Sequence, residues 1–423
     1  MAKDKLISLH CFGQEIGLFG FDGNRGASSF QYNEDYLASG KYERLFPLIF
    51  KRIKQTQVFD RYNNDTFRGL PPMIADSLPD LFGNLIFKAW MESSNRNMSD
   101  VSVLEQLAYV GIRGMGAVEY QPSKSVSSDD TINISEITEI VRQVLDQKKQ
   151  VDAKQLDHAS LLNIFKIGTS AGGMRPKILI SQHKEDGTLI PGDLIFDDCY
   201  DHYLVKLGLD EEASYSKQLI EYSYYMAATH TGITMMPSRM IDDRHFATLR
   251  FDRQEGKKKH VLTATGIAGL DYTDPKVSKY ENLYDLLLHL KCPHRDIEQL
   301  YRRMVFNLVF ANHDDHLKNQ SLIYEENSDS WGLAPAYDLT YSLNPELNIK
   351  TRSRALSVNG KRADIGVWDL KTIAEKYTIK GYKSIVAEMM DAIPYWEQHA
   401  RDLGISKQTI AAIKKNFAVF TDK

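Results

Sequence analysis

The first thirty or so residues alternate between apolar and polar positions. Leu6, Leu9, Ile16, Leu18 and Phe19, broken by Gly13, Gly17 and Gly20 and continued by Phe30 and Tyr32, predict short antiparallel strands. The period then lengthens. Leu81, Leu85, Ile86 and Trp90 form a helical stripe, for which Ser77 is the expected cap, with Pro79 and Asp80 in the first turn. A second helix is expected near Val101–Tyr109, followed by a turn over Gly111–Gly116. The Ser- and Asp-rich stretch Gln121–Asp130 reads as a connection between two modules. Beyond it, Ile134–Lys148 and Ala159–Phe165 read as helices. A glycine-rich turn, Gly168–Gly173, leads into the apolar strand Ile178–Ser181. A strand Tyr203–Lys206, a helix from Ser216 to His230 and strands over Phe246–Phe251 and Lys257–Thr265 follow. From Glu281 onward the pattern is mainly helical, interrupted by the loop Asn312–Ser321 and two short strands around Ile323 and Gly332.

Composition narrows the function classes. A chain of 423 residues is long enough for two or three domains. A net charge of −4 gives no basic field to recruit nucleic acid. The run Lys257-Lys258-Lys259-His260 reads as a solvated loop or hairpin tip. Three scattered cysteines, Cys11, Cys199 and Cys292, offer neither a disulfide framework nor a zinc motif. With no export signal and no run of transmembrane length, the expected location is the cytoplasm, without a membrane partner.

The chemistry concentrates in Asn312-His313-Asp314-Asp315-His316-Leu317-Lys318-Asn319, which follows the apolar helix Met304–Phe310. Phosphoryl transfer from ATP needs a carboxylate beside the attacking hydroxyl and an oxygen ligand for Mg²⁺ nearby. Asp314 and Asn319, at the Asp-x-x-x-x-Asn spacing of kinase catalytic loops, supply both. Asp338, after a predicted hairpin, is the expected second metal-binding carboxylate. A sparse Asn319/Asp338 pair suits Mg²⁺, which keeps few protein ligands. Lys206 at a strand end and Glu221 on the next helix read as the phosphate lysine and its partner. The loop around Ser170 reads as a phosphate loop because glycines let backbone N–H groups approach an anion. Two other enzyme readings compete. His-Asp-Asp-His could belong to a di-metal hydrolase. Small-molecule and lipid phosphotransferases share the Asp-x-x-x-x-Asn logic. A non-enzymatic binding subunit is the third alternative.

These motifs together resemble one family. Ser170-Ala-Gly-Gly-Met-Arg-Pro-Lys177, Tyr203-Leu-Val-Lys206, Arg250-Phe-Asp-Arg253, Asn312–Asn319 and Leu333-Ala-Pro-Ala-Tyr-Asp338 are similar to the HipA-like serine/threonine kinases of bacterial toxin–antitoxin systems. Phe67-Arg-Gly-Leu-Pro-Pro and Ala355–Lys361 extend the similarity over nearly the whole chain. The resemblance implies an α+β, bilobed kinase-like fold: an added N-terminal β-rich subdomain over 1–124, a smaller lobe over 125–255 and a mainly helical lobe over 256–423. It implies Asp314 as catalytic aspartate and Asn319 and Asp338 as Mg²⁺ ligands. For ATP it implies Ser170, Ala171, Gly172, Gly173 and Lys177 of the loop, then Lys206 with Glu221. Arg250 and Phe251 of the hinge-like segment and His316, Lys318 and Asn319 complete that set. Ser170 would be an autophosphorylation site. The protein substrate would be a translation component such as an aminoacyl-tRNA synthetase. The partner would be a small helix-turn-helix antitoxin, with DNA contacted only through it. Leu249 stands where the best-known members have Glu, and Thr265–Gly269 is small and apolar where some members are polar.

Overall fold

Along the chain run β1 (Ile7–Cys11), β2 (Gln14–Asp22), β3 (Ala27–Tyr32), α1 (Glu34–Ser39), β4 (Gln57–Val58), α2 (Pro72–Ala75), α3 (Leu81–Ser93), α4 (Val103–Val110), β5 (Val118–Gln121) and α5 (Ile134–Gln147). Then come β6 (Lys177–His183), β7 (Leu189–Pro191), β8 (Tyr200–Lys206), α6 (Lys217–His230), β9 (Ser238–Ile241), β10 (His245–Leu249), β11 (Arg253–Gln254), β12 (Lys257–Lys258), β13 (His260–Thr263) and α7 (Ala264–Ala268). The chain continues with α8 (Tyr280–His289), α9 (His294–Val309), β14 (Ser321–Glu325), β15 (Ser330–Leu333), α10 (Val367–Lys376), α11 (Tyr382–Asp402) and α12 (Lys407–Lys414). This computed structural model describes residues 6–79, 81–93, 95–124, 133–147, 175–192, 197–209, 215–345 and 353–420. The expected helix over 159–165 and the glycine-rich turn lie outside the described residues. The chain divides into two compact units, Met1–Leu209 with Ala247–Val261, and Asp210–Phe246 with Leu262–Lys423. Helix α6, assigned to the smaller lobe from sequence, falls in the second unit.

In the first unit the alternation at the N-terminus forms a five-stranded antiparallel sheet in the order β4-β3-β2-β1-β5. One face buries Ile7, Leu9, Phe19 and Phe30, and the rings of Phe19, Phe30 and Phe50 pack with centroids 4.6–6.2 Å apart. Burying a side chain of this size contributes about 1.5–3 kcal/mol. Ser77 does not cap α3. It lies four residues before the helix begins, and its hydroxyl accepts from Tyr120 Oη at 2.8 Å. In α4 the expected logic holds: Ser102 Oγ accepts from Glu105 N at 3.1 Å.

A second sheet places β6 between β7 and β8. Lys177 stands directly opposite Lys206 in the antiparallel β6–β8 ladder, and Ser181 opposite His202. Directly opposed residues share a face, and Ser181 Oγ lies 2.7 Å from His202 Nδ1.

The N-terminal sheet is tied to the segment after β10 by a buried ionic cluster. Asp252, fully buried, accepts from Arg250 at 2.8 and 2.9 Å, from Arg253 at 2.8 Å and from Gly116 N at 2.8 Å. Arg253 also donates to the Gly114 and Gly116 carbonyls at 2.9 Å. Gly116 is required here: its φ is +78°, and a Cβ would stand 3.0 Å from the Val261 backbone. The tri-lysine run is only partly solvated. Lys258 Nζ donates to Ile112 O and to Glu119 at 2.6 Å, and His260 is buried against Phe46.

Burial, followed by the charges of Arg250 and Arg253, pushes the His202 imidazole down to about 4, and burial alone pushes His260 down to about 3. The unfolded chain therefore binds protons that the folded chain refuses once pH drops below about 6.5. Stability contributed by these neutral rings is full above about pH 6.5 and is lost as pH falls toward about 4 for His202 and about 3 for His260. Urea denaturation of the intact protein should give a lower midpoint near pH 5 than near pH 7. A His202→Gln variant should show a shallower pH slope than the parent.

The second unit is mostly helical. Tyr224 and Ser223 of α6 meet Trp396 of α11, whose indole nitrogen donates to Ser223 Oγ at 3.0 Å. Phe417 packs on Trp396, Tyr224 and Phe310, and Ala418 N donates to Val309 O at 3.0 Å. The end of α9 is thus held from below by the C-terminal segment.

Candidate active site

Helix α9 delivers the chain to the Asn312–Asn319 loop through Ala311, whose φ is +53°. Such a conformation costs a non-glycine residue roughly 1–2 kcal/mol and ends the helix sharply. Tyr224 of α6 donates to Phe310 O at 2.8 Å, so the helix bearing the buried Glu221 is referenced to the start of the loop.

Asn312 is the loop's internal strut. It is buried, and its amide nitrogen donates to Asn307 Oδ1 at 3.0 Å and to Asp338 O at 3.3 Å. Its Oδ1 accepts from Asp314 N at 3.2 Å. One side chain therefore sets both Asp314 and Asp338.

The two adjacent aspartates have opposite environments. Asp315 is buried, accepting from Tyr280 Oη at 2.7 Å, Leu356 N at 3.2 Å and Arg354 Nε at 3.3 Å. Arg354 also donates to the Asn307 and Asn312 carbonyls at 3.1 and 2.8 Å. Burial and the Asp315 carboxylate hold the Tyr280 phenol well above its ordinary range. Asp314, by contrast, leaves 70% of its side chain exposed, with His316 Nε2 at 3.9 Å. Of the pair, Asp314 is the one presented to solvent.

Asn319 Nδ2 donates to Asp314 O at 2.7 Å, which leaves its Oδ1 as the donor atom for a cation. Asp338 has φ +53° and is half-buried. The segment leading to it is fixed by Tyr337 Oη donating to Lys318 O at 2.8 Å and by Arg303 Nη2 donating to Ala334 O at 2.5 Å. Arg303 is fully buried, and burial pushes its guanidinium down to about 10, so it remains charged at neutral pH. An amide oxygen and a carboxylate are hard donors that match Mg²⁺ when phosphate oxygens complete its shell. Among the described residues no cluster of three or more His, Cys, Asp or Glu side chains forms a metal site, so nothing in them favours the di-metal arrangement.

In the first unit, Lys177 and Lys206 are both buried on one face of the sheet. Arg250 does not present its side chain to a ligand. Its guanidinium is buried on Asp252, with Gly192 O at 3.5 Å, and the Arg250 backbone N–H donates to His202 O at 2.8 Å. Phe251 follows, half-buried in the turn. Ser170, Ala171, Gly172 and Gly173 lie outside the described residues. Sequence reading missed Asn312, Tyr280, Arg303 and Arg354 as the supports of the loop. An Asp doublet and an Arg near the Ala355–Lys361 motif were the only signals.

Fold and loop together define a kinase-like α+β protein. A model of the HipA N-terminal domain matches residues 8–121, and a model of the HipA-like C-terminal domain matches residues 169–399. The chain belongs to the HipA family. It is 34% identical over 94 residues to the putative kinase Y4dM of Sinorhizobium fredii (strain NBRC 101917 / NGR234); the match covers 22% of this chain and 22% of that relative's length. Its fold is similar to that in the Shewanella oneidensis MR-1 toxin–antitoxin complex of HipA, HipB and operator DNA. The TM-score is 0.62, with 15% identity over 97% of both chains. Among the described residues no helix is long and apolar enough to cross a membrane.

Proposed function

We propose that the protein is an ATP- and Mg²⁺-dependent serine/threonine protein kinase of HipA type. The observation that carries this reading is the contrast between exposed Asp314 and buried Asp315, with Asn319 and Asp338 both hydrogen-bonded into the same loop. Asp314 accepts or orients the proton of the incoming hydroxyl. Lys177 and Lys206 hold phosphate charge, and Asn319 and Asp338 hold the metal. Bound Mg²⁺·ATP supplies the phosphoryl group and neutralises charge that develops during its transfer. Ser170 is the autophosphorylation site in this reading. A phosphate there adds about −1.5 to −2 charges near neutral pH, which opposes the nucleotide's own phosphates.

The same reading makes the chain a cytoplasmic toxin held by a small helix-turn-helix antitoxin and brought to DNA through it. The HipB and operator DNA of the Shewanella complex support that partner. A translation component such as an aminoacyl-tRNA synthetase is the proposed protein substrate. Calorimetric titration with ATP at rising Mg²⁺ tests the metal assignment. Asp338→Asn should weaken Mg²⁺-dependent binding by at least about tenfold. Unchanged Mg²⁺ dependence would remove Asp338 from the site.

A further inference from the structure

We propose that Tyr272, a residue outside every motif considered above, is a positioning residue for the catalytic loop. Its ring forms the wall against which Lys318 and His316 are held beside Asp314. This inference rests on the kinase reading and adds a residue to it.

Three observations converge on the ring. Lys318 Nζ stands over its face at 5.3 Å from the centroid. The His316 ring meets it at 5.2 Å, tilted by 54°. His316 Nδ1 is buried without a hydrogen-bond partner, so no polar contact at that atom fixes the imidazole. The opposite nitrogen, Nε2, lies 3.9 Å from Asp314 Oδ1. Packing against Tyr272 is therefore what sets the angle at which His316 approaches Asp314.

Tyr272 is itself held in a built turn. Asp271 Oδ1 accepts from Thr273 N at 3.0 Å and from Thr273 Oγ1 at 2.8 Å. Ser278 Oγ donates to Tyr272 O at 3.1 Å and to Asp274 O at 2.9 Å. Arg362 donates to Pro275 O at 2.7 Å and to Ser278 O at 2.8 Å, tying the turn to the segment that carries Arg354. The ring is half-buried, so a truncation there removes little core.

The physics gives the ring a specific job. An aromatic face attracts an ammonium group, and that attraction restrains a side chain that otherwise samples many rotamers. With Lys318 and His316 pre-set, less ordering remains when nucleotide binds. Losing the ring should therefore appear in nucleotide KM more than in kcat.

The test is a double-mutant cycle on the full chain, with ATP turnover and thermal midpoint measured together. Tyr272→Ala should raise the KM for Mg²⁺·ATP about three- to tenfold with kcat changed less. Tyr272→Phe, which keeps the π face, should restore the wild-type value. In a Lys318→Ala background, Tyr272→Ala should add clearly less than it does alone, because the shared partner is gone. An unchanged KM in Tyr272→Ala would overturn the assignment, as would a Tyr272→Phe variant as impaired as Tyr272→Ala. Full additivity with Lys318→Ala, or a lowered thermal midpoint with no KM change, would also overturn it. A wild-type protein that neither binds nor turns over ATP would instead overturn the kinase reading, and this inference with it.

Discussion

Asp314→Asn is expected to lower phosphotransfer by about 10²–10⁴-fold while leaving the thermal midpoint near that of the parent. The substitution keeps shape and removes the charge that receives or orients the hydroxyl proton. Its side chain is exposed, and the loop's supports run through Asn312 and through the backbone of Asp314, not its carboxylate. The neighbouring substitution should do the opposite. Asp315→Asn leaves Arg354 buried without its carboxylate and disturbs Tyr280 and Leu356 N, so it should act first on stability. Measuring kcat and thermal midpoint on both variants separates the two roles. Equal activity of Asp314→Asn and the parent would remove Asp314 from the chemistry.

The largest stability effect is expected at Asp252. Its carboxylate is fully buried between Arg250 and Arg253 and also receives Gly116 N. Removing one partner of a buried ionic cluster typically costs about 3–5 kcal/mol, because the remaining charges keep their desolvation penalty without compensation. Here two guanidinium groups would be left facing each other, so Asp252→Asn should fall in that range by urea unfolding. The pH dependence has a definite sign. Burial alone would raise the Asp252 carboxyl, but Arg250 and Arg253 outweigh it and hold it well below the usual carboxylate range. Its contribution is therefore full above the unfolded value near pH 4 and is lost only as pH falls further, toward the folded value. That window opens near where the His202 loss ends and overlaps the lower end of the His260 loss, so the His202 and Asp252 losses follow one another as pH falls. A variant as stable as the parent would show that the cluster does not hold the N-terminal sheet to the segment after β10.

Much of this was legible along the chain for a physical reason. Period-two alternation survives in β1 to β3 because one face is buried and the other is wet. Ser102 and Ser216 sit immediately before their helices and cap them, although the helix ends read from the sequence, near Val101 and Ser216, did not single out either hydroxyl. Ser77 carried the same local signal, but a tertiary partner, Tyr120, claimed its hydroxyl. Tertiary pairing also explains Lys258 and Arg250, which look solvated or ligand-facing in sequence and are held by Glu119 and Asp252 instead. At the candidate site, the pairing of Asp314 with Asn319 was a reading of short spacing, and the structure joins the two within one loop through Asn319 Nδ2 and Asp314 O. Arg354 was not legible, since it reaches Asp315 across 39 positions and no local pattern records that contact. The same holds for Arg303, whose buried guanidinium meets Ala334 O.

The most direct measurement of the central claim is incubation of the full chain with labelled ATP and Mg²⁺, followed by mass mapping of the phosphosite. Label is expected on Ser170 of the wild-type protein, dependent on Mg²⁺ and abolished in Asp314→Asn. Absence of label on the wild-type chain and on any added protein, with ATP and Mg²⁺ present, would contradict it.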